Sequence, residues 1–488
     1  MPTLIVVDDP GDWPLKLEGI ELVTARAYLT DARYAGARGA KVFNLCRSYR
    51  YQSIGYYVSL LAEARHHKPI PSITTIQDLK APSIVKAYAE ELDDAIQKSL
   101  APIQSSEFVL SVYFGKNLAR RHEDLSRHFF KLFPVPFLRA VFTYKKKSGR
   151  WLLKTLGPME AADIPEDHRE FAVEAAAEFI RKRRPARRRV SYRFDLAILQ
   201  NPEEKERPSN PRAMERFVDA AESLGLATEL IEKEDYGRLA EFDALFIRET
   251  TSVNHHTYRF ARRAAAEGLV VVDDPESILK CTNKVFLAEL LEKHRVPTPR
   301  TVIVHRNNAG RVAEALGMPC ILKRPDSSFS QGVIKAETAQ ELEENIDKML
   351  ERSELLIAQE FLPTDYDWRV GIFDRKPLYV CKYFMAKEHW QIIKRDENGM
   401  KTEDGMSETL PVEHAPTALV RLALRAANLI GDGLYGVDIK QMGKSLYVIE
   451  VNDNPNIDAG VEDSALRDEL YLRIMRVILR RIEQRKVA

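Results

Sequence analysis

GVDIK at 436–440 and YVIEVNDNP at 447–455 flank Gly443-Lys444, a dipeptide that reads as a turn between two strands, VDIKQM and SLYVIEVN. A hairpin folded on a three-residue loop at 443–445 sets Asp438 opposite Glu450. Asn452, two residues further on, shares the face of Glu450. Carboxylates held that close repel each other unless a cation lies between them. All three side chains offer hard oxygens, which suit Mg²⁺ and not the thiolate-preferring metals. Mg²⁺ held by a few protein oxygens, with several positions open, usually carries the phosphates of a nucleotide. Taken alone, the same carboxylates fit an acidic surface hairpin. Features upstream separate the two readings.

Lys284 opens a helix after Thr282-Asn283, and Lys323 ends the buried-looking strand CILKRP. The loop DSSFSQGV (326–333) follows, rich in small and hydroxyl residues and containing Gly332. Such a loop lets backbone N–H groups approach phosphate oxygens while a nearby lysine offsets their charge. LLIAQEF (355–361) reads as a buried strand with a polar end, and DWRV (367–370) puts Asp367 and Arg369 on one strand face. Each has a plain structural counterpart. A lysine commonly sits on a helix surface, Pro325 terminates a strand, and an Asp/Arg pair on a surface contributes little. With one glycine, the loop is a weaker phosphate cradle than a Walker A motif.

The rest of the chain sets bounds. Its 488 residues allow two to four domains, and Lys+Arg 73 against Asp+Glu 72 leave a net charge of +1. Long-range attraction to nucleic acid or an anionic membrane is therefore not built into the whole molecule. The N-terminal MPTLIVVDDPGDW has too short an apolar run for a signal peptide, and no segment reaches the length of a membrane span. Cys46, Cys281, Cys320 and Cys381 form no CxxC pair, and a reducing cytoplasm is the simplest setting. From Asp195 strands and helices alternate: DLAILQ, then PRAMERFVDAAESLG with Asn210 as cap and Gly225 as stop, FDALFIRE, a helix at 254–267, and LVVVDDP. That is a small parallel α/β unit. Residues 165–184 read as a helix running into RKRRPARRR (181–189), taken as a solvated linker in preference to an RNA contact because no stacking aromatics accompany the charges. His66-His67 and His255-His256 are adjacent pairs whose side chains are expected to diverge, so on spacing neither reads as a metal pair and both read as solvated histidines.

The order Lys, Lys-loop, Gln-Glu-Phe, Asp-x-Arg, Asp, then Glu-x-Asn-x-Asn-Pro resembles the ATP-grasp superfamily, and within it the RimK-like carboxylate–amine ligases. ILKRPDSSFSQGV, AQEF, DWRV, GVDIK and EVNDNP carry the resemblance, which spans 195–485. It implies an α/β protein whose ATP-grasp domain, made of α+β subdomains, occupies 276–488. A small parallel α/β pre-ATP-grasp domain at 195–275 precedes it, after an extra N-terminal α/β domain at 1–150 and a helical basic linker at 151–194. NLCRSYRYQSIGYYVSLLAEARHHKPIPS (44–72) resembles that extra domain as carried by a subset of bacterial RimK-like proteins. Tyr49, Arg50, Tyr51, Ser53, Gly55 and Tyr56 within it read equally as an acceptor-recognition surface or as the packed start of a helix.

The resemblance implies roles residue by residue. Lys284 and Lys323 would touch the phosphates and the adenine side, and Ser327, Ser328, Gln331 and Gly332 would cradle phosphate. Gln359, Glu360 and Phe361 would meet adenine and ribose, Phe361 mainly through its backbone. Asp367 would be the ribose-side acid. Asp438, Glu450 and Asn452 would hold two Mg²⁺, with Mn²⁺ as the alternative. Arg369, with Lys323, would steady the transferred phosphoryl group or the substrate carboxylate. The implied activity is ATP-dependent joining of an amino acid such as glutamate to a peptide or small amino-acid substrate through an acyl phosphate. A homo-oligomer is left open. Where the family carries an arginine-rich strand and an Arg-Ser-Asn stretch, this chain reads PLYVCKYFMAKEHWQIIKR (377–395), with Lys382, His389, Trp390 and Gln391 in their place. Two other classes compete: an ATP-binding scaffold that recruits ribosomal or RNA partners, and a small-molecule kinase.

Overall fold

The computed structural model describes residues 3–13, 20–35, 39–160, 163–182, 192–326, 332–387, 389–395 and 401–487. They fall into two compact units, one of Met1–Ser191, Glu234–Asp243 and Ala266–Leu269, the other of Tyr192–Lys233, Ala244–Ala265 and Val270–Ala488.

The first unit contains a four-stranded parallel sheet ordered Ile20–Thr24, Thr3–Val7, Lys41–Asn44, Lys68–Ile70. Alternation along Thr3–Val7 sends Leu4 and Val6 to one core, with Val58 and Ala62 of helix Ile54–Ala64. Ile5 and Val7 go to the other face, with Ala172, Ala175 and Ala176 of helix Arg169–Lys182. A three-stranded antiparallel sheet follows: Glu107–Tyr113, Phe137–Lys145, Arg150–Pro158. The expected linker from 151 is therefore corrected. Residues 151–158 are the third strand of this sheet, and the helix after them is buried against the parallel one because its alanine face is apolar. The basic run lies outside the described residues from 183 onward. Tyr49 is buried with its hydroxyl on the Asn44 carbonyl, and Ser53 caps the next helix, whereas Tyr51 is 68% exposed. His67 is buried 2.8 Å from the Tyr28 hydroxyl, not in solvent.

The second unit opens with the expected parallel sheet, ordered Val270–Val272, Ala244–Ile247, Phe194–Leu199, Leu226–Ile231. Asn210 caps helix Pro211–Ser223 by accepting from the Ala213 N–H at 2.9 Å. The expected boundary at 275/276 does not separate hydrophobic cores. Tyr471 of the last helix, Asp468–Val487, packs its ring 4.8 Å from Phe217, among Phe246, Ile474 and Ile478. Three antiparallel sheets follow among the described residues: Thr301–Val304, Leu356–Glu360, Cys320–Lys323, Val333–Ala336, then Ser407–Leu410, Lys376–Phe384, Tyr366–Phe373, Leu434–Met442, Ser445–Asp453, and the pair Ile393–Arg395, Lys401–Asp404. No helix among the described residues is long and apolar enough to cross a membrane. All four cysteines are buried, and none is in a disulfide.

Candidate active site

Leu434–Met442 and Ser445–Asp453 form the expected hairpin by a slightly different route. The turn has two residues, with Gly443 at φ +60°, and Met442 pairs with Ser445. A bulge between Asp438 and Ile439 then inserts Ile449, and the extra residue restores Asp438 opposite Glu450 and Gly436 opposite Asn452. The three heads converge: Asn452 Nδ2 donates to Asp438 Oδ2 at 3.1 Å and to Glu450 Oε1 at 3.3 Å.

Cations crowd the same spot. Arg369 lies directly across from Asp438 on the neighbouring strand and donates to it through Nε and Nη2. Glycine at 436 leaves room for this, since a Cβ there would stand 3.3 Å from Arg369 Cδ and 2.8 Å from Pro455 Cβ. Lys284 begins helix Lys284–Lys293, capped by Asn283 and anchored in the core by Leu287 and Leu291, and its Nζ lies 3.9 Å from Glu450 Oε2. The Lys284 N–H donates to the Pro325 carbonyl, tying the helix to the chain just past Lys323. Burial pushes the Lys323 ammonium down to about 8, against the pull of Glu450. Burial also raises Asp438, with Arg369 opposing it. Glu450 moves the other way. Burial would lift it, but Lys284, Lys323 and Arg369 together hold it low.

These residues line one cleft of about 580 Å³, together with Gln359, Glu360, Phe361 and Asp367. Several of the last group are already engaged. Gln359 donates to Thr301 Oγ1 at 3.0 Å. Glu360 accepts from the backbone N–H and Nε of Arg300, which keep its carboxyl low against the upward effect of burial. Asp367 does not pair with Arg369 but accepts from Lys440 Nζ at 2.6 Å and from Thr364 Oγ1 at 3.1 Å. The Phe361 ring is a wall in its own right, with Lys335 Nζ 4.3 Å from its centroid and Trp390 edge-on at 6.1 Å. Of the expected phosphate loop, Gly332 is described at φ +71°, and Ser327, Ser328 and Gln331 lie outside the described residues.

In the segment that departs from the family, Trp390 and Gln391 face the cleft. Lys382 is held by Glu408 at 2.9 Å. Sequence reasoning missed Lys440, although it stands in GVDIK two residues from Asp438 and so shares its face. It also missed Glu462 and Tyr383. Both line the cleft and hydrogen-bond each other, and burial pushes the Glu462 carboxyl up to about 7. Nothing local marks that pair. Arg248 was missed as well. It is fully buried and binds Asn454 Oδ1 at 2.7 Å and the Pro208 and Pro455 carbonyls at 2.6 and 2.9 Å.

The family described as the RimK-like ATP-grasp N-terminal domain matches residues 25–175, and an ATP-grasp domain family matches residues 281–457. An alpha-aminoadipate–LysW ligase, LysX, from Saccharolobus solfataricus is 27% identical over 38% of this chain and 67% of its own length. A "Probable alpha-L-glutamate ligase" from Vibrio vulnificus is 26% identical over 47% of this chain and 74% of its own. Among solved structures, the D-alanine–D-alanine ligase of Bacillus anthracis aligns over 60% of this chain and 99% of its own at 14% identity, with a TM-score of 0.45.

Proposed function

Because this chain belongs to the RimK-like ATP-grasp ligases, enzymes that join an acid to an amine, we propose that it uses ATP to couple an acidic amino acid such as glutamate to a peptide or small amino-acid acceptor. The observation that carries this reading is the convergence of Asp438, Glu450 and Asn452 with Lys284, Lys323 and Arg369 on one cleft wall. The donor set suits Mg²⁺: two carboxylates and an amide, with neither sulfur nor imidazole among them. Asp438, Glu450 and Asn452 would hold two such ions, which when bound offset phosphate charge and polarise the phosphoryl group in transfer.

A carboxylate does not react with an amine at neutral pH. Transfer of the γ-phosphoryl group to the substrate carboxylate gives an acyl phosphate and ADP. The amine then attacks the carbonyl carbon, phosphate leaves, a proton is lost and an amide remains. The chain's contribution is positioning and charge neutralisation. Lys284 and Lys323 lie where phosphate oxygens would gather. Arg369 turns to the charge that develops on the phosphoryl group or the substrate carboxylate. Lys440 and Thr364 hold Asp367 for the ribose side. Phe361 and Trp390, set edge to face, would supply apolar surface for an adenine.

Phosphate release from Mg²⁺-ATP across a panel of amino acids, singly and in pairs, with mass spectrometry of the products, tests the reading. The expected product is an amide, one water lighter than its two components, and Glu450→Ala abolishes its formation. A phosphorylated small molecule in place of an amide would make the protein a kinase. Nucleotide binding without turnover would make it a scaffold.

A further inference from the structure

A second set of metal-binding side chains lies outside the nucleotide machinery. Glu249 follows the buried strand Ala244–Ile247 and is only 2% exposed. The chain then loops through TTSVN and returns at His255-His256, where helix His256–Ala266 begins. Adjacent side chains on an extended chain diverge, and that was the expectation for this pair. At the entry to the helix the backbone changes direction, and both rings turn to one side. Their centroids are 3.9 Å apart at 44°. His256 Nε2 lies 2.9 Å from the Glu249 carboxylate. One donor atom from each of the three residues lies within 4.8 Å of the other two.

Donors bound at about 2.0–2.2 Å to one tetrahedral ion stand roughly 3.3 Å apart, a spacing compatible with the 2.9 Å His256–Glu249 distance and the 4.8 Å limit on the set. Two imidazoles and a carboxylate suit Zn²⁺ and its neighbours, not Mg²⁺. Thr257 Oγ1 stands 3.1 Å from His255 Nδ1 and fixes that ring, as a partner behind a ligating histidine does.

We infer that Glu249, His255 and His256 form a binding site for a borderline divalent transition ion of the Zn²⁺ class, distinct in chemistry from the oxygen-only trio of Asp438, Glu450 and Asn452. Its consequence runs through the loop it closes. Thr250, Thr251 and Ser252 of that loop line the main cleft, and Thr251 Oγ1 donates to Asp453, next to Asn452, at 2.7 Å. The Glu249 carbonyl accepts from Asn454 Nδ2 at 2.6 Å. An ion here braces one end of the cleft without touching nucleotide.

Co²⁺ serves as the probe, because histidine-bound Co²⁺ of low coordination number absorbs strongly in the visible and octahedral all-oxygen Co²⁺ hardly does. Full-length protein stripped by chelator and held in excess Mg²⁺ is titrated with Co²⁺. The expected result is a visible band saturating at one equivalent and displaced by Zn²⁺. Asp438→Asn keeps the band. His255→Ala, at a half-buried position, and the isosteric Glu249→Gln, both checked for folding by circular dichroism, weaken Co²⁺ binding by at least about tenfold. Absence of the band in the unmodified protein, or its persistence at full strength in either variant, overturns the assignment.

Discussion

Arg369 holds Asp438 by a two-pronged grip, Nε to Oδ1 at 2.6 Å and Nη2 to Oδ2 at 2.7 Å. A guanidinium thus sits on a carboxylate proposed as a metal ligand; a bound ion would compete for that carboxylate and free Arg369 to face the phosphoryl group. Arg369→Ala is expected to lower kcat by about 10²–10³, the usual cost of losing one charge-stabilising donor. It should also lower the Mg²⁺ concentration for half-maximal rate, since the competitor is gone. Rates measured against Mg²⁺ check both, and an unchanged Mg²⁺ requirement would show that the grip is merely structural.

Lys323 gives a pH dependence of definite sign. With its pKa brought down to about 8 by burial, it is charged below that value and neutral above it. ADP affinity measured by calorimetry should therefore fall as pH rises through about 8. Lys323→Met should bind weakly at every pH, without that inflection. The linkage to folding has the opposite slope. Between about 8 and the ordinary lysine value the folded chain holds fewer protons than the unfolded one, so this group alone makes the fold more stable as pH rises through that window.

Arg248 joins the strand Ala244–Ile247 to the segment just after the strand Ser445–Asp453 through Asn454 and Pro455. Arg248→Met removes the donors and leaves several buried acceptors unmet. A loss of about 3 kcal/mol is expected, from roughly 1–3 kcal/mol per unsatisfied buried group with partial relaxation. Urea titration should show a lower midpoint at unchanged slope.

In the N-terminal unit, Gly55 admits no side chain. A Cβ there would lie 2.4 Å from the Ser48 carbonyl oxygen and 2.7 Å from Cys46 Cβ. Gly55→Ala is expected to cost about 1–3 kcal/mol through overpacking, read as a lower melting temperature. Tyr51→Ala, at a 68% exposed position nearby, should leave it within experimental error.

The hairpin that carries Asp438 and Glu450 was legible because its rules are local. A glycine turn, alternation of side chains and a pair of carboxylates two strands wide need only short-range information. Even so, the register arose from a two-residue turn and a bulge at Ile449, a pairing that the alternation alone does not distinguish from a three-residue loop. The alternating strands and helices from Asp195 and the Asn210 cap were readable for the same reason. The strand at 150–158 was not: its partner Phe137–Lys145 is the adjacent hairpin strand, but the core that Trp151 and Leu156 enter, with Ile76, Ile96 and Phe129, comes from elsewhere in the chain.

What the sequence by itself determined was the inventory of chemistry and its order: lysines, a small-residue loop, an Asp-x-Arg strand and an acidic hairpin, each encoded within a few residues. What only the tertiary structure decided was partnership. Asp367 took Lys440 and not Arg369, Glu462 met Tyr383 from 79 residues away, and two histidines expected to diverge closed on Glu249. Those choices depend on how distant segments pack, because burial makes a charged or polar group accept whichever partner the folded backbone brings within hydrogen-bond reach.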